Sequence, residues 1–226
     1  DNLVERHKNL LDEMNSKKLN NKNFFLYLHY SNIHTGIMNE VLKIYDNFSK
    51  EFFSNKNKNE LRYDKLFHVA ELYLSQILDK IYQLEFDKNS IILIMSDHGV
   101  SIGEKIGERA YGAFCYDYTL RTFTYFMIPN STTMEIKQQI RTIDFMPTIL
   151  DLLNIPLDEA YSNLDGKSLL PLIDGKSFSE DYAFSETGNP LNEKSPPKEP
   201  NTKSIRTSEW KLIFNEYNNT KELYDL

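Results

Sequence analysis

The stretch SIILIMSDHG, residues 90–99, constrains the fold more than any other. Ile91 to Met95 is short, wholly apolar and mostly β-branched, with a serine on either side. Such a run reads as a central strand covered on both faces, the kind found in parallel α/β sheets. A second run, Phe123 to Ile128, stops at Pro129. Ahead of the first lies Leu61 to Leu84, with Leu66, Val69, Ala70, Tyr73, Leu74, Ile77, Leu78 and Ile81 at i, i+3, i+4 and i+7. That stripe predicts a long amphipathic helix. Helix then strand, repeated with short connections, points to βαβ units and an open α/β fold.

Other segments extend this reading. Asn2 to about Lys18 is polar, with Leu3, Leu10, Leu11 and Met14 at helical spacing, a surface helix. Phe24 to Tyr30 is a continuous apolar-aromatic run that fits a buried strand. Met38 to Phe53 reads as helix, and NKNKNE at 55–60 as a polar break. Thr142 to Leu153 is helical, with Asp144 as its cap and Pro147 in the tolerated first turn. DGKSLLPLIDGK carries a short helix between two Asp-Gly turns. Past Lys176 the pattern changes. The Pro-rich SPPKEP at 195–200 sits among strand-like pieces, DYAFSE, KSIRTS, WKLIF and ELYDL, which predict an antiparallel appendage. The expected domains are therefore an α/β core at 1–176 and a small subdomain at 177–226.

Composition removes several function classes. The 226 residues suit one large domain, or one plus a small one. A net charge of -7 argues against nucleic acid or an anionic membrane as the main partner. One cysteine excludes a disulfide framework and a Cys-clustered zinc site. Mean hydropathy is -0.52, and no run approaches the ~18 apolar residues of a membrane span, so no transmembrane segment is expected in this piece. The chain opens on DNLVERHKNLL, with neither Met nor a signal peptide, and reads as a piece of something longer.

The chemistry concentrates at Ser96-Asp97-His98-Gly99. In open α/β sheets the ligand crevice lies beyond the carboxyl ends of the strands. An Asp-His pair there offers adjacent metal ligands, one hard oxygen and one borderline nitrogen. Gly99 would let the backbone turn sharply so that both side chains face the crevice. Spacing alone leaves open a plain turn in which Asp97 caps and His98 is solvated.

The surrounding motifs carry a resemblance. SDHGVSIGEK, YDYTLR, RTIDFMPTILDLLNI and DGKSLLPLIDGK follow one another in the order of four motifs of the sulfatase family, within the alkaline-phosphatase-like superfamily. FFLYLHYSNIH resembles the family's early strand end, and IRTSEWKLIFN and ELYDL its closing strands. The resemblance begins near Asn23 and covers nearly all the chain after it. It implies an α/β fold, a sheet sandwiched by helices with a small C-terminal antiparallel sheet, incomplete at the N-terminus. Asp97 and His98 match the family's divalent-metal ligands. The implied metal is calcium, with manganese, magnesium or zinc also compatible with the pair. His34 matches a substrate-binding histidine that donates to a sulfate oxygen or protonates the leaving group. Arg121 matches a fold-holding arginine that pairs locally. Asp144, Pro147 and Thr148 serve packing, His29 is a packed core residue, and His7 and His68 are surface or packed.

Three departures stand out. Ile33 replaces the proline that usually precedes the histidine matched by His34. Where sulfatases carry a Lys or His reaching the sulfate, this chain has Tyr111 or Gly112. Arg109 or Lys105 would then hold the anion, Arg109 by its bidentate fork, or Tyr111 would donate one hydrogen bond. Alternatively Arg109 is a solvated loop charge. The family nucleophile, a Cys or Ser in C/S-x-P-S/T-R, is absent, and Cys115 in FCYDY reads as a buried small hydrophobe. The expectation is a C-terminal part of a metal-dependent hydrolase of small-molecule or carbohydrate sulfate esters, without its nucleophile and inactive alone. The alternatives are a phosphonate or phosphodiester hydrolase or phosphoethanolamine transferase of the same superfamily, and a degenerate, non-catalytic binding module.

Overall fold

The structure, a computed structural model, describes residues 2–17, 19, 22–43, 49–108, 111–158, 163–188 and 201–226. They fall into two compact units. One comprises Asp1–Gly112 with Asp117–Ser131, and the other Ala113–Tyr116 with Thr132–Leu226.

Two helices frame the first unit. Helix α1 (Leu3–Ser16) starts at Asn2, whose side chain accepts the Glu5 N–H. Helix α4 (Lys56–Gln83) is the long amphipathic element that the stripe predicts. It begins earlier than expected: NKNKNE is its first turns, not a break. The reason lies in Asn59, which is fully buried and donates to the carbonyls of Phe52 at 3.0 Å and Ile102 at 2.9 Å. A polar side chain is tolerated inside when it finds such partners. Tyr73, Ile77 and Ile81 on α4 pack with Leu11 and Met14 of α1. Val69, also in the stripe, is exposed.

The expected strand Phe24–Tyr30 forms no β-ladder. Its burial alternates as an extended chain would: Leu26, Leu28 and Tyr30 pack on the α1–α4 cluster, while Phe25 and Tyr27 are exposed. One side chain in two is covered, so the run is not buried throughout. His29 falls on the open side and stacks on Tyr27 at 6.1 Å, so it is not a core residue. His68 is exposed beside Glu71, and His7 lies against Tyr73, its Nδ1 2.6 Å from the phenol oxygen.

After that run come α2 (Asn32–Gly36), a π-helical turn (Ile37–Leu42) and α3 (Lys50–Ser54), capped by Ser49. The expected helix from Met38 to Phe53 is thus divided, with residues 44–48 outside the described part. Ile37, Val41, Leu42 and Phe52 form a second core with Val100 and Ile102.

The two apolar runs form strands β1 (Ile92–Met95) and β2 (Thr124–Met127), as expected. Their pairing corrects the parallel reading: β1 lies antiparallel to β2, Ile92 opposite Met127 and Met95 opposite Thr124. Parallel neighbours need a crossover packed on the sheet. Here the connection folds back instead, and the Ser96 N–H reaches the Phe123 carbonyl at 3.2 Å. Among its described residues it holds the short helix α5 (Asp117–Leu120). Nor is β1 covered on both faces, since none of its residues is fully buried.

The second unit holds α6 (Phe145–Leu152), α7 (Leu170–Ile173) and a four-stranded antiparallel sheet. Its strands, β3 (Ala183–Thr187), β4 (Thr202–Arg206), β5 (Trp210–Asn215) and β6 (Thr220–Asp225), pair in chain order. This is the small C-terminal sheet that the sequence predicts. Asp144, buried ahead of α6, accepts the N–H of Arg141 and of Lys167 and a side-chain pair from Arg141. Thr148 is fully buried and accepts the Leu169 N–H. Both serve packing. Cys115 is buried, as expected of a small hydrophobe. SPPKEP lies outside the described residues. Among the described residues, no helix is long and apolar enough to cross a membrane.

Candidate active site

Asp97 and His98 stand just past the C-terminal end of β1. The Asp97 Oδ1 accepts the His98 N–H at 2.9 Å, which closes the turn. Its Oδ2 lies 3.6 Å from His98 Nε2. The Nδ1 of His98 lies 2.7 Å from the Gly99 carbonyl oxygen. A carbonyl only accepts, so Nδ1 carries a proton, and in the neutral ring Nε2 holds the lone pair. That lone pair and the Asp97 carboxylate are then two donors side by side, one nitrogen and one oxygen. The turn thus uses one carboxylate oxygen, Oδ1, for capping.

Gly99 is required by close approach. A Cβ at this position would lie 2.2 Å from the Tyr118 carbonyl oxygen. The Gly99 N–H donates to the Thr119 carbonyl at 2.9 Å. This corrects the expected reason, a sharp turn, since Gly99 has no positive φ. Gly112 is held against the same helix: its φ is +84°, and a Cβ would meet the Thr119 hydroxyl at 2.8 Å. Helix α5 thus grips both the segment carrying His98 and the segment carrying Tyr111.

Tyr111 is the middle of an aromatic triad. Its ring stacks on His34 with centroids 4.6 Å apart and planes 7° apart. His98 meets it edge-on at 5.5 Å. Its hydroxyl donates to the His34 carbonyl at 3.4 Å. Burial pushes the phenol above its ordinary pKa, so it stays a neutral donor. His34 is exposed on α2, and Gly36, two residues on, lets that helix approach Leu66 of α4.

Of the sequence candidates, the structure thus brings together His34, Tyr111, Asp97 and His98. Lys105 is exposed on the loop after Gly103, and Arg109 lies outside the described residues. Arg121 corrects its expected part. Among the described residues its guanidinium has no hydrogen bond or ion pair, and only its backbone N–H closes α5 onto Asp117. The residues the sequence reading missed are Asn59, which anchors the loop at Ile102, and the pair Tyr63 and Phe67. The pair's i, i+4 spacing on α4 was the available signal. No pattern marks Asn59.

Among the described residues no third His, Cys, Asp or Glu joins Asp97 and His98 in a metal-ligand cluster. The donor set fits part of a divalent-cation site, with oxygen and imidazole nitrogen as its ligand types.

The fold, seen against solved structures, is alkaline-phosphatase-like. A 2-O GAG sulfatase superposes with a TM-score of 0.61 and 22% identity, over 73% of this chain and 35% of its own. A phosphonate monoester hydrolase from Silicibacter pomeroyi gives 0.60 and 22%, over 73% and 34%. Human arylsulfatase K is 26% identical over 178 residues, 75% of this chain and 32% of the relative. The sulfatase family profile matches residues 4–155. The chain belongs to the sulfatase family. It spans about a third of the length of the curated relatives it matches.

Proposed function

We propose that the protein to which these residues belong hydrolyses sulfate esters of small molecules or carbohydrates, with S–O cleavage. The observation that carries this reading is the meeting of His34 with the Asp97–His98 pair across the Tyr111 ring. Family membership and the likeness to arylsulfatase K support it.

In this reading Asp97 and His98 are two ligands of a divalent cation, calcium by resemblance. When bound, the cation supplies Lewis acidity at the ester oxygens and a template for the nucleophile. The chain's own residues do the rest. The Gly99 carbonyl fixes the His98 tautomer. Tyr111 holds the His34 ring flat against its own face. His34, exposed on α2, donates a proton to a sulfate oxygen or to the leaving alcohol. Lys105 and Arg109 are the candidate cations for the sulfate. The nucleophile and the remaining ligands come from outside residues 1–226, and these residues alone are inactive.

Assay of the full-length protein with an aryl sulfate beside an aryl phosphodiester tests the reading. Faster sulfate release, lost on Asp97→Ala and on chelation, is the expected result. Preference for the phosphodiester would overturn it in favour of the second reading, a phosphonate or phosphodiester hydrolase. That reading is favoured by uncharged Tyr111 standing where sulfatases carry Lys or His, and by the likeness to the Silicibacter enzyme. Turnover of neither ester, with no divalent binding sensitive to Asp97→Ala, would identify a non-catalytic module.

A further inference from the structure

Beside His98, on the side of α4, the first unit opens into a cleft of about 260 Å³. Its lining includes Tyr63, Phe67 and Phe123, together with Ser96 and Arg121. The rings of Tyr63 and Phe67 meet edge to face at 4.8 Å, and Phe67 and Phe123 stay substantially exposed. Among the described residues no carboxylate lines the cleft; burial, with Glu104 and Asp64 nearby, pushes the Tyr63 phenol up to about 12, so that ring itself stays neutral. Among the described residues that line the cleft, Arg121 carries the one permanent charge, and no described side chain pairs its guanidinium.

We propose that this cleft is a substrate subsite for the alcohol part of the ester: a six-membered ring bearing a second anionic group, carboxylate or sulfate, that Arg121 holds. The proposal rests on the sulfate-ester reading of the adjoining site. Size supports it, since a cavity of about 150 Å³ already holds benzene and this one leaves room for a substituent. Aromatic walls suit the apolar faces of an aryl or pyranose ring. An unpaired guanidinium is built for a planar, two-oxygen anion. His98 borders the same cleft, so a ring seated there stands beside the proposed metal pair.

The test uses the full-length protein and two measurements. The first is binding of 4-hydroxybenzoate against phenol, followed by calorimetry and ligand-observed NMR, which needs no turnover. The carboxylated ring should bind about tenfold more tightly. Arg121→Gln should erase that preference, and Arg121→Lys should restore part of it. The second is hydrolysis of 4-sulfooxybenzoate against phenyl sulfate. Arg121→Gln should lower the ratio of their kcat/KM values about tenfold, through KM. Equal binding of the two phenols by the wild type, or a preference that survives Arg121→Gln, overturns the subsite whether or not an ester is cleaved. A preference lost in the variant, with neither ester hydrolysed, sustains the subsite and sinks the sulfatase reading. Should Arg121→Gln fail to fold, Phe67→Ala replaces it. It should weaken both phenols severalfold, and unchanged affinity would overturn the aromatic wall.

Discussion

The C-terminal sheet and the segment 23–30 are both patterned with a period of two, yet only one is a ladder. In β3 to β6 each strand pairs with the next in sequence. Between β4 and β5 and between β5 and β6 short connections, such as the turn where the Thr207 N–H reaches the Trp210 carbonyl at 2.8 Å, bring the partners together locally, whereas β3 and β4 are joined by a longer one. One face is buried through Ile213, Thr202 and Ser204. On the other, Phe184, Ile205, Leu212 and Leu223 stand side by side across all four strands and are exposed. Segment 23–30 has the same alternation and lies against two helices, but among the described residues no strand runs beside it. Burial on one face makes a chain extended, whereas a neighbour within hydrogen-bonding reach makes it a strand. The site-bearing unit is therefore held by helix packing and loop anchors, and the C-terminal sheet by its own ladders.

Hydrogen exchange is the strongest way to break this contrast. Amides in β4 and β5, which have partners on both edges, should exchange at least about 1,000-fold more slowly than those of 24–30. Equal protection would mean that the segment is paired after all. Next in size, Ile213→Ala should cost about 3 kcal/mol in urea unfolding, whereas Phe25→Ala should cost less than about 0.5 kcal/mol, because Phe25 is 87% exposed. A large effect at Phe25 would show that its face is covered in solution. Asn59→Ala strands the Ile102 carbonyl, whereas that of Phe52 keeps the Asn55 N–H, and should cost about 1–3 kcal/mol. Faster exchange at residues 100–104 would mark the loosened anchor. The smallest expected effect concerns acid. Burial, with Arg6 nearby, lowers the pKa of His7 below its ordinary 6.5. The folded chain thus keeps the ring neutral, and on acidification the unfolded chain takes up the proton first. This contribution is complete above pH 6.5 and fades as pH falls through the lowered value in the folded protein. His7→Gln should flatten that part of the stability profile, and an unchanged slope would count against the burial of His7 as its source.

The sequence revealed elements better than it revealed neighbours. The stripe on α4, the runs at β1 and β2 and the four late strands all appear at their expected places, because periodicity reports burial directly. Pairing direction does not follow from apolarity, so β1 was read as parallel. Asn59 looked like part of a polar break because its acceptors, the Phe52 and Ile102 carbonyls, are supplied only by tertiary folding. At the site, SDHG marked the Asp-His pair at a strand end. The Tyr111 ring between two histidines was not legible, since residues 34, 98 and 111 are far apart in the chain. Arg121 was assigned a local partner that the structure does not supply, because a motif conveys spacing and not surroundings.

The π-helical turn at Ile37–Leu42 follows directly on the helix that carries His34. A π-turn is an α-helix holding one residue too many. Insertion and deletion at this turn therefore have unequal consequences for the histidine. Removing a single residue, Asn39 for example, would let the turn relax to α geometry. Six residues at the π-helical ~80° each and five at the α-helical ~100° turn the chain through nearly the same angle, so His34 would keep facing the Tyr111 ring. Adding a residue instead, with Val41 and Leu42 still anchored in the core, would rotate everything before it by about 100° about the helix axis. His34 would then swing off the Tyr111 face, so the histidine's direction tolerates a lost residue at this turn and not a gained one.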